Sequence, residues 1–223
     1  VDTPISEAAI LGAGVGMALA GLRPVVEMRV VDFALCAMDE LVNQAAKNRY
    51  LFGAQANVPA TFYMIMYHRS NAAAQHTDRP HPIFMGIPGF KVVAPATPSD
   101  AYGLMKAAIR DNNPVLFVES QLLYGAKGPV PEAEYLIPLG VAEIRRPGSD
   151  VTIVAISAMV GRALEAAEML AAEGVDVEVI DPRTLSPLDE ATIISSVEKT
   201  GALVVVDESP PHCSVASEIA ALV

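Results

Sequence analysis

The sequence predicts an α/β protein of two domains with mainly parallel sheets. Two observations carry that prediction. Short apolar runs of strand length alternate with longer helical patterns, first before residue 120 and again after residue 139. Such alternation buries a parallel sheet under helices on both faces. Between the two series, residues 121–138 hold Gly125, Gly128, Pro129, Pro131 and Pro138 with neither period. The expected organisation is a domain over 1–120, a linker over 121–138 and a second domain over 139–223. The first is expected to be incomplete at its start and the second at its end. With 52 % hydrophobic and 18 % charged residues among 223, the chain is too apolar to stay disordered.

Each element has a local reason. Ser6 to Ala20 is rich in Ala, Leu, Ile and Met, with Ser6 placed to cap a helix and Gly21 to stop it. Gly12, Gly14 and Gly16 weaken that helix and suit close approach of another backbone. Arg23 to Val30 alternates as a strand does, Phe33 to Tyr50 returns to helical spacing, and Pro59 to Met66 is β-like. From Tyr67 to Gly89 the pattern stops and His, Arg, Asn and Pro collect, which predicts a long loop of the kind that carries function. Lys91 to Ala94 is a short buried strand. Thr97-Pro98-Ser99-Asp100 then opens a helix to about Arg110: Thr caps, Pro takes the first turn, and Asp faces the positive end. Pro114 to Glu119 is a strand. After the linker come a strand at Val151 to Ile156, a helix at Val160 to Glu173 stopped by Gly174, and a strand at Val175 to Ile180. Ser186-Pro187-Leu188-Asp189 opens another helix. Ala202 to Val206 is a strand, and Ser214 begins the last helix.

Charge and composition exclude several classes. Fifteen basic against 26 acidic side chains leave a net charge of −11, which repels nucleic-acid phosphates and anionic lipid heads. Nucleic acid and membrane are therefore not expected partners. Arg, Glu or Pro interrupts every apolar stretch before the roughly 20 residues a membrane helix needs. Val1-Asp2-Thr3-Pro4 has no basic n-region and no cleavage site. Cys36 and Cys213 are far apart and neither lies in a C-x-x-C, which points to free thiols in a reducing compartment. The chain reads as soluble and intracellular.

Metal and nucleotide templates fail. His68, His76, His81 and His212 have no i, i+4 pairing, and Gly12-Ala13-Gly14-Val15-Gly16 lies inside a helical pattern rather than between a strand and a helix. Three residues remain. Taken alone, Glu7 is an acidic residue at a helix start, favoured there by the dipole. Phe33, one of six Phe, sits beside Asp32 at a helix start and reads as a core aromatic. His76 lies in the unpatterned loop, where an imidazole is as often functional as structural.

Seven separated motifs give these residues a context. They are Asp2-Thr3-Pro4-Ile5-Ser6-Glu7, Gly21-Leu22-Arg23-Pro24-Val25-Val26-Glu27, Met38-Asp39-Glu40-Leu41-Val42-Asn43, Gln75-His76, Pro88-Gly89-Phe90-Lys91-Val92-Val93, Ala107-Ala108-Ile109-Arg110-Asp111-Asn112-Asn113-Pro114, and Asp181-Pro182-Arg183-Thr184-Leu185 with Pro187-Leu188-Asp189. In this order, over essentially the whole chain, they resemble the β subunit of thiamine-diphosphate-dependent 2-oxoacid dehydrogenases, the family of pyruvate, branched-chain 2-oxoacid and acetoin dehydrogenase components. The resemblance implies a transketolase-like pyrimidine-binding domain followed by a transketolase C-terminal domain. It implies an α2β2 assembly with thiamine diphosphate at α/β interfaces, the diphosphate and its magnesium being held by the α subunit. The implied reaction is oxidative decarboxylation of a 2-oxoacid, or cleavage of acetoin, with reductive acylation of lipoamide on an acyltransferase component. The place of work the resemblance implies is the cytoplasm of a bacterium or archaeon, or a mitochondrial matrix or plastid.

Carried over residue by residue, the resemblance makes Glu7 the glutamate that hydrogen-bonds the aminopyrimidine nitrogen, so that the exocyclic nitrogen can take the thiazolium proton. It makes Phe33 the aromatic that stacks on the aminopyrimidine, and His76 the loop histidine that serves the intermediates and the incoming lipoyl group. It places a structural potassium on Ala60, Ala108, Ile109, Asp111 and Asn113, mostly through backbone carbonyls, an oxygen set that suits a hard cation. The chain departs from the family at Tyr67-His68-Arg69-Ser70-Asn71-Ala72, which lacks the usual glycines, at Thr77-Asp78 in place of Ser-Gln, and at Glu208-Ser209-Pro210-Pro211-His212-Cys213 in place of a Gly-rich turn. Two other readings are the C-terminal half of a transketolase-like protein and a non-catalytic partner subunit of the same fold.

Overall fold

The computed structural model describes residues 1–67 and 72–223; residues 68–71 of the glycine-poor stretch lie outside the described residues. Two sheets form the frame. In the first, β1 (Val25–Met28), β2 (Thr61–Met66), β4 (Val115–Ser120) and β3 (Lys91–Val93) run parallel in that order. In the second, β7 (Val177–Asp181), β6 (Val151–Ala155) and β9 (Leu203–Val206) run parallel.

Both sheets also gain an antiparallel edge that the sequence pattern conceals. β5 (Glu143–Arg146) pairs with β7, and β8 (Thr184–Ser186) leaves the second half of the chain to pair with β3 of the first sheet. β5 reads Glu-Ile-Arg-Arg and β8 is three residues long, so neither offers a run of alternation to detect. Thr184 and Leu185 are buried nonetheless, because β8 lies where the two sheets meet.

The central strand shows why the parallel pattern is continuous rather than alternating. On β4, Leu116 and Val118 join the main core with Phe62, Met64 and Met66 of β2, while Val115 and Phe117 face the helix α3 (Pro98–Arg110) through Leu104 and Ala108. Both faces are covered, so both must be apolar. Thr97 caps α3 as its sequence predicts, accepting from the Asp100 N–H at 3.1 Å. The next predicted opening shifts by a few residues: Ser186 closes β8, and Asp189 is the cap of α5 (Glu190–Thr200), accepting from the Thr192 N–H at 3.1 Å. Ser214 begins α6 (Val215–Leu222) with a reciprocal capping box to Ser217. The helix α4 (Met159–Ala172) covers the second sheet.

Helix α1 (Glu7–Leu19) buries Leu11, Gly14, Val15 and Ala18. Of its glycines, Gly14 is the one that close packing demands: a Cβ there would collide with the Val26 side chain, whereas Gly16 faces open space. Ser6 stands at the N-cap but its side chain makes no capping bond. The predicted helix over 33–50 is broken into three pieces. Val31–Ala37 winds as a 3-10 helix, Asp39–Ala45 as a π-helix, and Asn48–Leu51 as one turn of α-helix, α2. The predicted long loop contains 3-10 turns at Ala74–His76 and His81–Gly86.

The two halves are joined by a charged cluster. Arg145 of β5 ion-pairs with Asp181 of β7 at 2.7 Å and with Asp100 in the first turn of α3. Arg183 reaches Glu143 at 3.1 Å and Asp100 at 3.7 Å. Asp100 and Asp181 are 1 % and 0 % exposed, so the pairing compensates two fully desolvated carboxylates.

Candidate active site

Glu7 is the first residue of α1 and is half-buried there. Helix α1 packs along the segments 31–37 and 39–45, so the N-terminal carboxylate and Phe33 belong to neighbouring elements. Phe33 is half-buried and packs against the main core. His76 ends the 3-10 turn of the loop and meets Phe33 edge to face, with ring centroids 5.1 Å apart at 81°. The structure therefore brings Phe33 and His76 into direct contact, and connects Glu7 to them through the packing of α1 on the Phe33 segment.

The loop is held by groups that the motifs do not single out. Asp32 is 7 % exposed, and its Oδ1 accepts from the Asp78 N–H at 2.9 Å. Burial pushes the Asp32 carboxyl above the usual carboxylate range, against the pull of two backbone hydrogen bonds. Within the loop, the His76 N–H and the Thr77 Oγ1 both donate to the Ala73 carbonyl, at 3.2 and 2.9 Å. Arg79 donates from Nη1 to the Thr77 and Asp78 carbonyls at 2.9 and 2.7 Å. His81 is 1 % exposed and its Nε2 lies 3.4 Å from Ser209 Oγ, which ties the loop to the second half of the chain. Burial pushes His81 down to about 4, so it is neutral at pH 7. Two buried polar atoms at the site have no hydrogen-bond partner among the described residues, Asp32 Oδ2 and His76 Nδ1. The signal that could have flagged Asp32 was an acidic residue next to a lone aromatic in a strand-to-helix turn. For Arg79 and His81 it was two more basic groups just beyond His76.

The five residues expected to hold potassium are gathered at the other end of β2 and β4, where four of their carbonyls each accept a hydrogen bond. The Ile109 and Asp111 carbonyls accept from Arg23 Nη1 at 3.1 and 2.8 Å. The Ala60 carbonyl accepts from Val115 N–H at 3.0 Å, and Ala108 from Asp111 N–H at 3.1 Å. The Asp111 carboxylate pairs with Lys91 and accepts from the Asn113 backbone and side-chain N–H groups at 2.8 and 2.9 Å. Positive charge at this corner is thus supplied by the chain's own Arg23 and Lys91. A carbonyl that accepts one hydrogen bond keeps a second lone pair, so this corner retains oxygen donors beside the two cations of the chain. Among the described residues no group of three or more His, Cys, Asp or Glu could hold a metal, and no helix is long and apolar enough to cross a membrane.

An acidic group at a helix start, an aromatic on a segment packed against that helix and a loop histidine on that aromatic are group types that can seat a heteroaromatic ring and handle its protons. The comparisons with known proteins place the chain in a family. Residues 1–127 match the transketolase pyrimidine-binding domain, and residues 140–223 match the transketolase C-terminal domain. The chain belongs to the transketolase family. Membership implies dependence on thiamine diphosphate. Over all 223 residues the chain is 51 % identical to the β subunit of the acetoin:2,6-dichlorophenolindophenol oxidoreductase of Cupriavidus necator, covering 66 % of that protein. It is 48 % identical to the mitochondrial pyruvate dehydrogenase E1 component subunit beta-1 of Arabidopsis thaliana, covering 100 % of this chain and 62 % of that protein. The chain therefore spans about two thirds of the length of the relatives it matches. Among solved structures, a split-gene transketolase, described as an inactive β4 tetramer, matches with a TM-score of 0.83 and 25 % identity, over 98 % of this chain and 68 % of that one.

Proposed function

We propose that the chain is the β subunit of a thiamine-diphosphate-dependent 2-oxoacid dehydrogenase of the pyruvate type, or of an acetoin dehydrogenase. It would act with an α subunit in an α2β2 assembly and pass the acyl group to lipoamide on an acyltransferase component. The observation that supports this most is identity of about half over the whole chain to β subunits of both kinds. In this reading residues 1–120 bind the aminopyrimidine, 121–138 link, and 139–223 form the C-terminal domain. The α subunit holds the diphosphate and magnesium. The protein would work in a bacterial cytoplasm or a mitochondrial matrix.

The residues present fit the cofactor's aminopyrimidine. Glu7, at the start of α1, would hold the ring nitrogen by a shared proton, a task for a carboxyl group kept partly out of water. Phe33 offers a ring surface whose position is set by the core behind it and by His76 in front. Thiamine diphosphate, when bound, supplies the carbon nucleophile that cleaves the substrate's carbon–carbon bond. His76 would exchange a proton with the reacting oxygen or with the lipoyl sulfur through its imidazole, from a loop held by Asp32 and Ser209.

The test is co-expression with an α subunit of the family. The pair should elute as a heterotetramer and, with thiamine diphosphate and magnesium, reduce an artificial electron acceptor in the presence of pyruvate or acetoin. An assembled pair that is inert with both substrates, and with branched-chain 2-oxoacids, would contradict the proposal.

A further inference from the structure

The geometry points to Asp32 as the positioning residue of His76: a side-chain rotation brings the His76 Nδ1–H onto the Asp32 Oδ2, unbonded to His76 as placed, completing a carboxylate–imidazole pair that leaves Nε2 bare. Two independent links place the side chains in one cluster. Asp78, two residues after His76, donates its N–H to Asp32 Oδ1 at 2.9 Å. Phe33, the residue after Asp32, touches the His76 ring at a centroid distance of 5.1 Å. The remaining polar atom on each side chain, Oδ2 of Asp32 and Nδ1 of His76, is buried with no hydrogen-bond partner among the described residues. Buried polar groups in folded proteins are almost always paired, and two bare ones of complementary type in one cluster call for a common explanation. A carboxylate oxygen accepts and a protonated ring nitrogen donates, so each supplies what the other lacks.

The backbone already does half of the work. The turn Ala74–His76 is closed on itself by two bonds to the Ala73 carbonyl, and the Asp78 N–H pins it to Asp32. With Oδ1 held, Oδ2 has little freedom, and a carboxylate so fixed can select one tautomer of a neighbouring imidazole. That is the role of the aspartate in a nucleophile–histidine–aspartate triad, where a third group orients the base.

The activity arm of the test rests on the proposed function; two other arms do not. In the unmutated chain, a long-range proton–nitrogen spectrum of the imidazoles should show His76 protonated at Nδ1 and bare at Nε2. A proton on Nε2 instead overturns the pairing, whatever any variant does. Asp32→Asn keeps an oxygen for the Asp78 N–H but turns an NH2 group toward Nδ1, forcing the proton to Nε2. Carbethoxylation of His76, followed peptide by peptide in a mass spectrometer, should then slow at least threefold, with exposed His212 as an unchanged control. An unchanged rate at His76 in the folded variant overturns the pairing. In the assembled enzyme, Asp32→Asn should lower kcat at least tenfold with KM changed less than threefold. The double variant with His76→Ala should be no slower than His76→Ala alone. Additive losses in that cycle would also overturn it. An unmutated complex with no activity would remove the proposed function and leave the pairing to the spectrum and the labelling rate.

Discussion

Replacing Arg145 by Leu should expose the energetics of the joint between the two halves. Arg145 donates from Nε and Nη2 to Asp181 Oδ2, at 3.2 and 2.7 Å, and pairs with Asp100 as well. At 2.7 Å and an effective dielectric of about 20, the Arg145–Asp181 attraction is about 6 kcal/mol gross, much of it spent on desolvation. Removing one partner of such a buried pair typically costs about 3–5 kcal/mol, because the carboxylate left behind is bare. Arg183 stays within 3.7 Å of Asp100, so the burden falls on Asp181. The loss should depend on pH in one direction. Burial already pushes Asp181 up to about 6, with Arg145 opposing. A carboxyl raised above its unfolded value stabilises the fold while protonated and loses that contribution as pH rises through the folded value. Without Arg145 the carboxyl rises further, so the variant suffers most where the group must ionise. Urea melts at pH 8 should show a deficit of about 3–5 kcal/mol. At pH 5, where Asp181 takes up its proton, the deficit should shrink by at least about 1 kcal/mol. Equal deficits at both pH values would refute the role of Asp181's charge. A deficit below about 1 kcal/mol would mean that the cluster behaves as a solvated surface pair.

Other outcomes follow from the site. In the assembled enzyme, Glu7→Gln should slow exchange of the thiazolium proton by orders of magnitude while cofactor affinity changes far less; unaltered exchange would remove Glu7 from proton handling. His76→Ala should cripple the lipoamide-linked reaction by about 10²–10⁴-fold and the artificial-acceptor assay less, since that route bypasses the lipoyl group. Equal losses in the two assays would place His76 before the routes diverge. Arg23→Ala should lower stability by about 1 kcal/mol by releasing the 109–112 turn, a modest figure because the guanidinium is exposed. Exchanging potassium for sodium in the buffer should leave the melting temperature of the unmutated chain unchanged; a clear rise with potassium would show that the carbonyls at Ala60 and Ile109 still take a metal beside Arg23.

The sequence by itself determined the two α/β series and the caps at Thr97 and Ser214. Each depends on a period or a cap spanning only a few residues, and such signals survive in one dimension. Its motifs also named Glu7, Phe33 and His76 as a set. Tertiary structure alone decided what those residues touch. No spacing shows that Phe33 and His76, 43 positions apart in number, share a contact, or that Asp32 holds the His76 loop through a backbone N–H. The edge strands stayed hidden for the same reason: β8 is a strand only because β3 offers it a ladder. The broken helix over 31–51 keeps helical hydrophobic spacing while its hydrogen bonds tighten and then widen against α1, which periodicity does not report. At the corner near Ile109 the family resemblance implied a structural potassium. That a guanidinium from Arg23, 86 residues upstream, donates to the Ile109 carbonyl there follows only from how β1 and β4 flank β2 in the folded sheet.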